Sequence, residues 1–304
     1  MPQLPTGTVE LQAGPTVLRV SPAAGGSITR YASVRNGQTF EWMRPALPEA
    51  VRTRSAGSTS SFPLVPFSNR IRNAAFRFRG RTIQLPASAP PAPHALHGHG
   101  WRRAWAVVSQ AATGLTLEYQ HVADAWPWDY RAEQHFDLTA ERLTIRFAVT
   151  NESTEPMPVG FGVHPYYVRT PRVRFRAAVG QMWRTDANAM PTELVAGPAG
   201  LGLTAAGLSP DETVLDNNFL GFEGRARVEW PEWDAGLEIV SDPLYSCLVI
   251  YTPDGRDFFC AEPVTNCIDG FNLADQGRTD TGIIVLEPGD TAAGDVTFTP
   301  MIGL

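Results

Sequence analysis

The 304-residue chain carries a formal net charge of −6 and a pI near 5.5, which excludes the basic footprint of a general nucleic-acid binder. No apolar run reaches membrane-spanning length, and the start MPQLPTGTVELQAG lacks the basic-then-apolar pattern of a signal peptide, so the expected setting is cytoplasmic, with no membrane partner. All 25 basic residues are arginine, which rules out a Schiff-base lysine, a pyridoxal-phosphate anchor and a P-loop lysine.

Along the chain the dominant pattern is strand, tight turn, strand. Turn signals stand at Asn36-Gly37, Arg79-Gly80, Thr113-Gly114 and Asp254-Gly255, and in the run EPGDTAAGD near the C-terminus. Period-two alternation marks half-buried antiparallel strands. In LTIRFAVT it places Leu143, Ile145, Phe147 and Val149 on one face, in RVRFRAAV Val173, Phe175, Ala177 and Val179, and in GLEIVSD Leu237 and Ile239. No amphipathic helix of normal length is evident, and 27 Gly with 26 Pro suit a turn-rich chain. Long loops are expected over 51–61, 86–100 and 186–212. Each is followed by strand-like sequence with no change of composition, so residues 1–304 read as one large all-β domain, a sandwich of antiparallel sheets. Cys247, Cys260 and Cys267 read as small buried hydrophobes.

Four segments interrupt the strand pattern with polar residues. PFSNRIRNAAFRF places Asn69 and Arg70 before an alternating run, and HALHGHGW sets His94, His97 and His99 among glycines. GFGVHPYY and FFCAEPVTNCIDGFN carry His164 and Glu262, each directly before a proline. Proline cannot extend a ladder, so each residue is expected where its strand leaves the sheet. Two such groups meeting in a cleft form a general acid and base; apart, they are a core histidine and an exposed carboxylate. The three clustered histidines share a spacing compatible with a metal site, but no further ligand completes one, and their glycines suggest a loop closing on a polar ligand. Of Trp101, Trp105, Trp126, Trp128, Trp230 and Trp233, most read as core or loop packing, and Trp126 and Trp128, expected to share a strand face, are the better candidates to line a sugar site.

Taken together and in order, NRI (69–71), LHG (96–98), VHPYY (163–167), VLDNNF with Asp216, and EPVT (262–265) resemble the aldose 1-epimerase (galactose mutarotase) family. The likeness runs from about Val17 to Phe298. It implies a β-supersandwich of antiparallel sheets and an isomerase that interconverts the anomers of a free aldose such as glucose or galactose. By this resemblance His164 is the general acid and Glu262 the general base, while Asn69, Arg70, His97 and Asp216 bind substrate. The implied partner is a small monosaccharide, with no cofactor and no metal; monomer and homodimer both remain open. The galactose enzymes resemble H-x-Y-F-N after the catalytic histidine, whereas this chain reads His164-Pro165-Tyr166-Tyr167-Val168 and its AEPVTN is closer to other bacterial members.

Three alternatives share the scaffold. A hexose-6-phosphate 1-epimerase would use arginines such as Arg70, Arg72, Arg102, Arg103 and Arg169 as phosphate ligands; otherwise these are solvated strand-face charges. A carbohydrate-binding protein would keep the cleft without the chemistry. A polysaccharide-active enzyme would need a second carboxylate beside Glu262, for which Asp216 is the available residue.

Overall fold

The computed structural model describes residues 7–88, 93–197, 201–204 and 206–304. Residues 1–6 of the start, and 89–92, 198–200 and 205 within the two longer expected loops, lie outside the described residues. The architecture is built on antiparallel sheets. An eleven-stranded sheet runs through its centre in the order Ser27–Arg35, Ser61–Leu64, Gly162–Val168, Phe258–Val264, Cys247–Tyr251 and Asp216–Leu220. An eight-stranded sheet includes Gly114–His121, Tyr130–Leu138, Leu143–Asn151, Thr291–Ile302 and Ala235–Ser241. Among the described residues no helix is long and apolar enough to cross a membrane; the longer of two short α-helices is Gly270–Asp275.

The alternation read from the sequence is the alternation of burial. Leu143, Ile145, Phe147 and Val149 are buried while Thr144 and Arg146 are not, because one face of the eight-stranded sheet covers the core. The two large sheets meet there. Phe147 stacks on Phe161 with centroids 5.3 Å apart, Phe175 lies 6.1 Å from Phe259, and the Tyr31 hydroxyl donates to Phe298 O at 3.1 Å. The eleven-stranded sheet behaves differently at its centre. Val163, Tyr167, Phe259 and Ala261 join the inter-sheet core, whereas Phe62, Tyr166, Cys260 and Val264 form a second cluster on the opposite face. Strands buried on both faces need no polar alternation, hence the nearly continuous apolar reading of FFCA. His164 and Glu262 point to this second face, in step with Tyr166 and Cys260.

The prolines after His164 and Glu262 do not end their strands. Pro165 lies inside Gly162–Val168 and Pro263 inside Phe258–Val264, which corrects the strand-end placement. Tyr166 N donates to Ser60 O at 2.9 Å and Thr265 N to Phe161 O at 2.8 Å. Successive peptide groups address opposite neighbours, so the nitrogens of both prolines face the seam between the two strands. Neither carries a hydrogen. The pairing accordingly lapses after Gly162↔Val264 and resumes at Tyr166↔Cys260. The missing donors leave a loosened central seam rather than two sheet edges.

Other local expectations resolve in similar detail. Asn36-Gly37 (φ 51°, 77°) and Arg79-Gly80 (φ 49°, 81°) close tight hairpins with both central residues left-handed. The stretch 51–61 holds a helical turn, Ala50–Thr53, and a 3₁₀ turn, Ala56–Ser58, and the loop expected over 186–212 contains the strand Pro191–Ala196. Of EPGDTAAGD only the first residues turn, and Thr291 opens the strand Thr291–Ile302. Trp126 and Trp128 lie on a non-strand segment, which corrects the expected shared strand face, and are 1% and 2% exposed, packed into the core against Phe67, Phe76, Phe78 and Phe271. All three cysteines are buried and free.

Gly98 holds the His97 segment in place. It has φ +63°, and a Cβ there would stand 2.2 Å from Val65 O, the carbonyl that accepts from both His99 N and Gly100 N. The close approach at Gly98 is therefore to the Val65 backbone. Gly98→Ala should lower stability by about 1–3 kcal/mol, read from the urea midpoint at unchanged slope. Gly37→Ala, with φ +77° but nothing within 4 Å, should cost only the left-handed penalty of about 1 kcal/mol. Equal losses would remove the clash from the explanation.

Candidate active site

His164 and Glu262 sit on neighbouring strands across the loosened seam, with His164 Nε2 3.2 Å from Glu262 Oε1 and side chains 8% and 2% exposed. Burial drives both groups toward their neutral forms. It lowers His164 to about 3, helped by the Arg44 charge, and it raises Glu262 well above the carboxylate range, helped by Asp216 and opposed by Arg70. Glu262 Oε2 and His164 Nδ1 are buried with no hydrogen-bond partner among the described residues. Phe62 stacks on one side of the imidazole at 4.4 Å, and Tyr166 stacks on the ring at 4.9 Å. The ring is thus fixed by aromatic packing, with Nε2 turned to Glu262 and Nδ1 without a partner among the described residues.

The NRI and LHG segments supply the opposite wall. Arg70 and Leu96 pair in a two-residue ladder, and both Asn69 and His97 adopt a left-handed conformation with φ 58°. His97 Nδ1 accepts from Asn69 N at 3.0 Å, which leaves Nε2 to carry the proton of the neutral ring. Burial holds His97 well below the usual histidine range, reinforced by His164, Arg70 and Arg102. Asn69 Oδ1 accepts from Arg70 N at 2.9 Å and from Arg70 Nη1 at 3.3 Å, and Arg70 Nη2 reaches Asp216 Oδ2 at 3.1 Å. Asp216 comes from the strand Asp216–Leu220, beside Cys247–Tyr251.

All of Asn69, Arg70, His97, His164, Asp216 and Glu262 line one cavity of about 200 Å³, together with Leu96, Val249 and Tyr251. Sequence reasoning missed those last three residues, since a strand-face Val or Tyr carries no polar signal. It also missed Asn266 as a brace. Asn266 Oδ1 accepts from Ser68 N at 3.0 Å, its Nδ2 donates to Ser68 O at 3.2 Å, and Ser68 Oγ donates to its carbonyl at 3.0 Å. Asp269 extends the tie by accepting from Arg72 N at 2.9 Å. The segment after Glu262 therefore positions the segment that carries Arg70, and a polar pair directly following an apolar strand was the available clue.

The three clustered histidines do not act together. His94 Nδ1 accepts from Asn73 N at 3.1 Å, His97 enters the cavity, and His99 Nε2 lies 2.8 Å from the Tyr130 hydroxyl. The group of potential metal ligands among the described residues is instead His164, Cys260 and Glu262, all buried, with one ligand atom from each within 4.8 Å of the others. Burial and the neighbouring Glu262 push the Cys260 thiol well above its ordinary value, which disfavours the thiolate that a metal would need. Of the arginines weighed as phosphate ligands, Arg70 is paired with Asp216, Arg72 with Asp269 and Arg169 with Asp211.

Comparison with known proteins gives the family and the fold. The aldose 1-epimerase family profile matches residues 8–299. The Escherichia coli K12 protein YphB is 32% identical over 262 residues, covering 84% of this chain and 88% of its own. The crystal structure of a candidate aldose 1-epimerase from the same strain superposes with a TM-score of 0.85 at 29% identity, over 97% of this chain and 99% of that one. A galactose mutarotase-like protein of Clostridium acetobutylicum gives a TM-score of 0.87 at 19% identity, over 97% and 95% of the two chains. The chain belongs to the aldose 1-epimerase family, and its antiparallel sheets are the galactose mutarotase-like fold.

Proposed function

We propose that the protein is an aldose mutarotase in which His164 and Glu262 pass one proton between them through the sugar. The observation that carries this reading is the 3.2 Å contact between His164 Nε2 and Glu262 Oε1, buried yet facing the cavity that Arg70, His97 and Asp216 also line. Ring opening starts from imidazolium and carboxylate. Glu262 takes the proton of the anomeric hydroxyl while His164 gives one to the ring oxygen, and the C1–O5 bond breaks. The pair is then carboxylic acid and neutral imidazole, which are the forms that burial favours. Desolvation therefore pulls the proton in the direction that opening requires, while sugar hydroxyls and Arg70 support the ionised starting form. Rotation about C1–C2 exposes the other carbonyl face, and closure returns both protons. The chain's lack of lysine leaves no side-chain amine to trap the aldehyde.

Arg70, Asn69, His97 and Asp216 offer donors and acceptors around the cavity wall and hold the hydroxyls. At about 200 Å³ the cavity is smaller than the roughly 300–1,000 Å³ clefts of drug-sized ligands, which suits a monosaccharide unit rather than a polymer chain.

Glu262→Gln and His164→Asn should each lower kcat for anomer interconversion by about 10²–10⁴-fold while sugar still binds, measured by polarimetry beside a binding titration. Unchanged turnover in Glu262→Gln would remove Glu262 from the base role. The pH profile of kcat/KM should be a broad plateau. Lowering His164 delays uptake of a second proton toward about pH 3, and raising Glu262 delays loss of the shared one. A narrow bell with an acid limb near 6.5 would contradict a single shared proton.

The same burial carries a cost in stability. A carboxyl whose folded pKa is raised loses stability as pH climbs from its unfolded value of about 4.3 through its folded one. Glu262→Gln should therefore melt higher than the wild type at pH 8, with the difference vanishing below about pH 4. A lower melting temperature at pH 8 would mean that the carboxylate is stabilised in place.

A further inference from the structure

A histidine ring is usually oriented through the hydrogen bond made by its second nitrogen. His164 Nδ1 has no such partner among the described residues, and Nε2 faces Glu262. The backbone holds this residue on one side only. His164 pairs with Phe62 on the strand Ser61–Leu64, whereas the pairing toward Phe258–Val264 lapses between Gly162↔Val264 and Tyr166↔Cys260. Orientation of the imidazole therefore falls to the rings of Phe62 and Tyr166, at 4.4 and 4.9 Å.

Tyr166 is in turn gripped by Arg44, from the connection after the strand Gln38–Glu41. Arg44 N donates to Tyr166 O at 2.8 Å. Its guanidinium carbon stands 4.4 Å from the Tyr166 ring centroid and 4.7 Å from that of Phe258, and Phe258 meets Tyr166 edge-on at 5.0 Å. Arg44 Nη2 donates to Thr59 O at 2.8 Å, which fixes the far end of the side chain. Arg44 is 9% exposed, and it is not among the residues that line the His164–Glu262 cavity. A cation over an aromatic face gains most where water is excluded, so this contact favours one fixed placement of the Tyr166 ring.

We propose that Arg44 is a positioning residue for the mutarotase reaction, pinning the Tyr166 ring against the His164 imidazole so that Nε2 stays directed at Glu262 and the cavity. The inference rests on the mutarotase reading and adds to it a residue that acts only through its neighbour. A misdirected acid still leaves the sugar bound, so the loss on removing Arg44 belongs in kcat.

The test compares kcat and KM for glucose and galactose, by polarimetry, in the wild type, Arg44→Gln, Arg44→Lys, Tyr166→Leu and Arg44→Gln/Tyr166→Leu, with folding checked by near-ultraviolet circular dichroism. Glutamine can still donate to Thr59 O but carries no charge, and lysine restores a cation. Arg44→Gln should lower kcat by about tenfold or more with KM within about twofold of wild type, and Arg44→Lys should recover most of the loss. Once the Tyr166 ring is gone, adding Arg44→Gln should change kcat by less than about twofold. Unchanged kcat in Arg44→Gln, a matching rise in KM, a lysine variant no better than glutamine, or a full second loss in the double variant would overturn the role. Arg44→Met, which keeps the apolar stem, replaces Arg44→Gln with the same expected values if the latter does not fold. The ring signal of His164 in a proton–carbon correlation spectrum, assigned by its absence in His164→Asn, gives a readout that needs no turnover. If the wild type turns over no aldose, the mutarotase reading falls; the positioning role then stands if that signal shifts in Arg44→Gln but not between Tyr166→Leu and the double variant, and an unmoved signal overturns it.

Discussion

The site depends on placing an imidazole and a carboxyl side by side in a central seam of a sheet that is buried on both faces. A buried ionisable pair is costly unless its charges are matched and its lone pairs satisfied. Here one contact is made, between His164 Nε2 and Glu262 Oε1, and one atom of each side chain is left without a partner. The fold tolerates this because rigid neighbours hold both groups. Phe62 and Tyr166 clamp the ring, and Asn266 and Thr265 lock the strand end to the opposing segment. Unsatisfied atoms that are held still are poised for a ligand, whereas on a mobile loop they would find water.

The two prolines serve the same arrangement. Each removes a ladder hydrogen bond from the seam that separates the pair, so the strands need not be drawn into full register around it. What looks locally like a strand terminator is, at the centre of an eleven-stranded sheet, a device for relaxing one seam. Stability lost there is offset by the inter-sheet core, in which Phe147, Phe161, Phe175 and Phe259 pack ring against ring.

The fold class was legible because half-buried strands repeat with period two, as Leu143, Ile145 and Phe147 do against Thr144 and Arg146. The site residues were legible because polar groups interrupt apolar strands at Asn69, His164 and Glu262. Their meeting was not, since nothing local in GFGVHPYY and FFCAEPV says that the two strands are neighbours. The prolines misled because proline's missing donor is the same at a strand end and in a relaxed seam, and only the pairing partner distinguishes them. Trp126 and Trp128 misled for a related reason: an aromatic pair reads alike in a core and on a sugar platform, and burial against Phe76 and Phe271 decides it.

The central claim is that a proton moves only between oxygens of the sugar and the His164–Glu262 pair. It is tested most directly by exchange NMR in D₂O, following the anomeric protons of glucose and glucose 6-phosphate with catalytic amounts of the protein. The account predicts faster α–β exchange with no deuterium entering at C2. Deuterium at C2 would show that a carbon acid is being deprotonated, and exchange no faster than the uncatalysed rate for both sugars would contradict the mutarotase assignment.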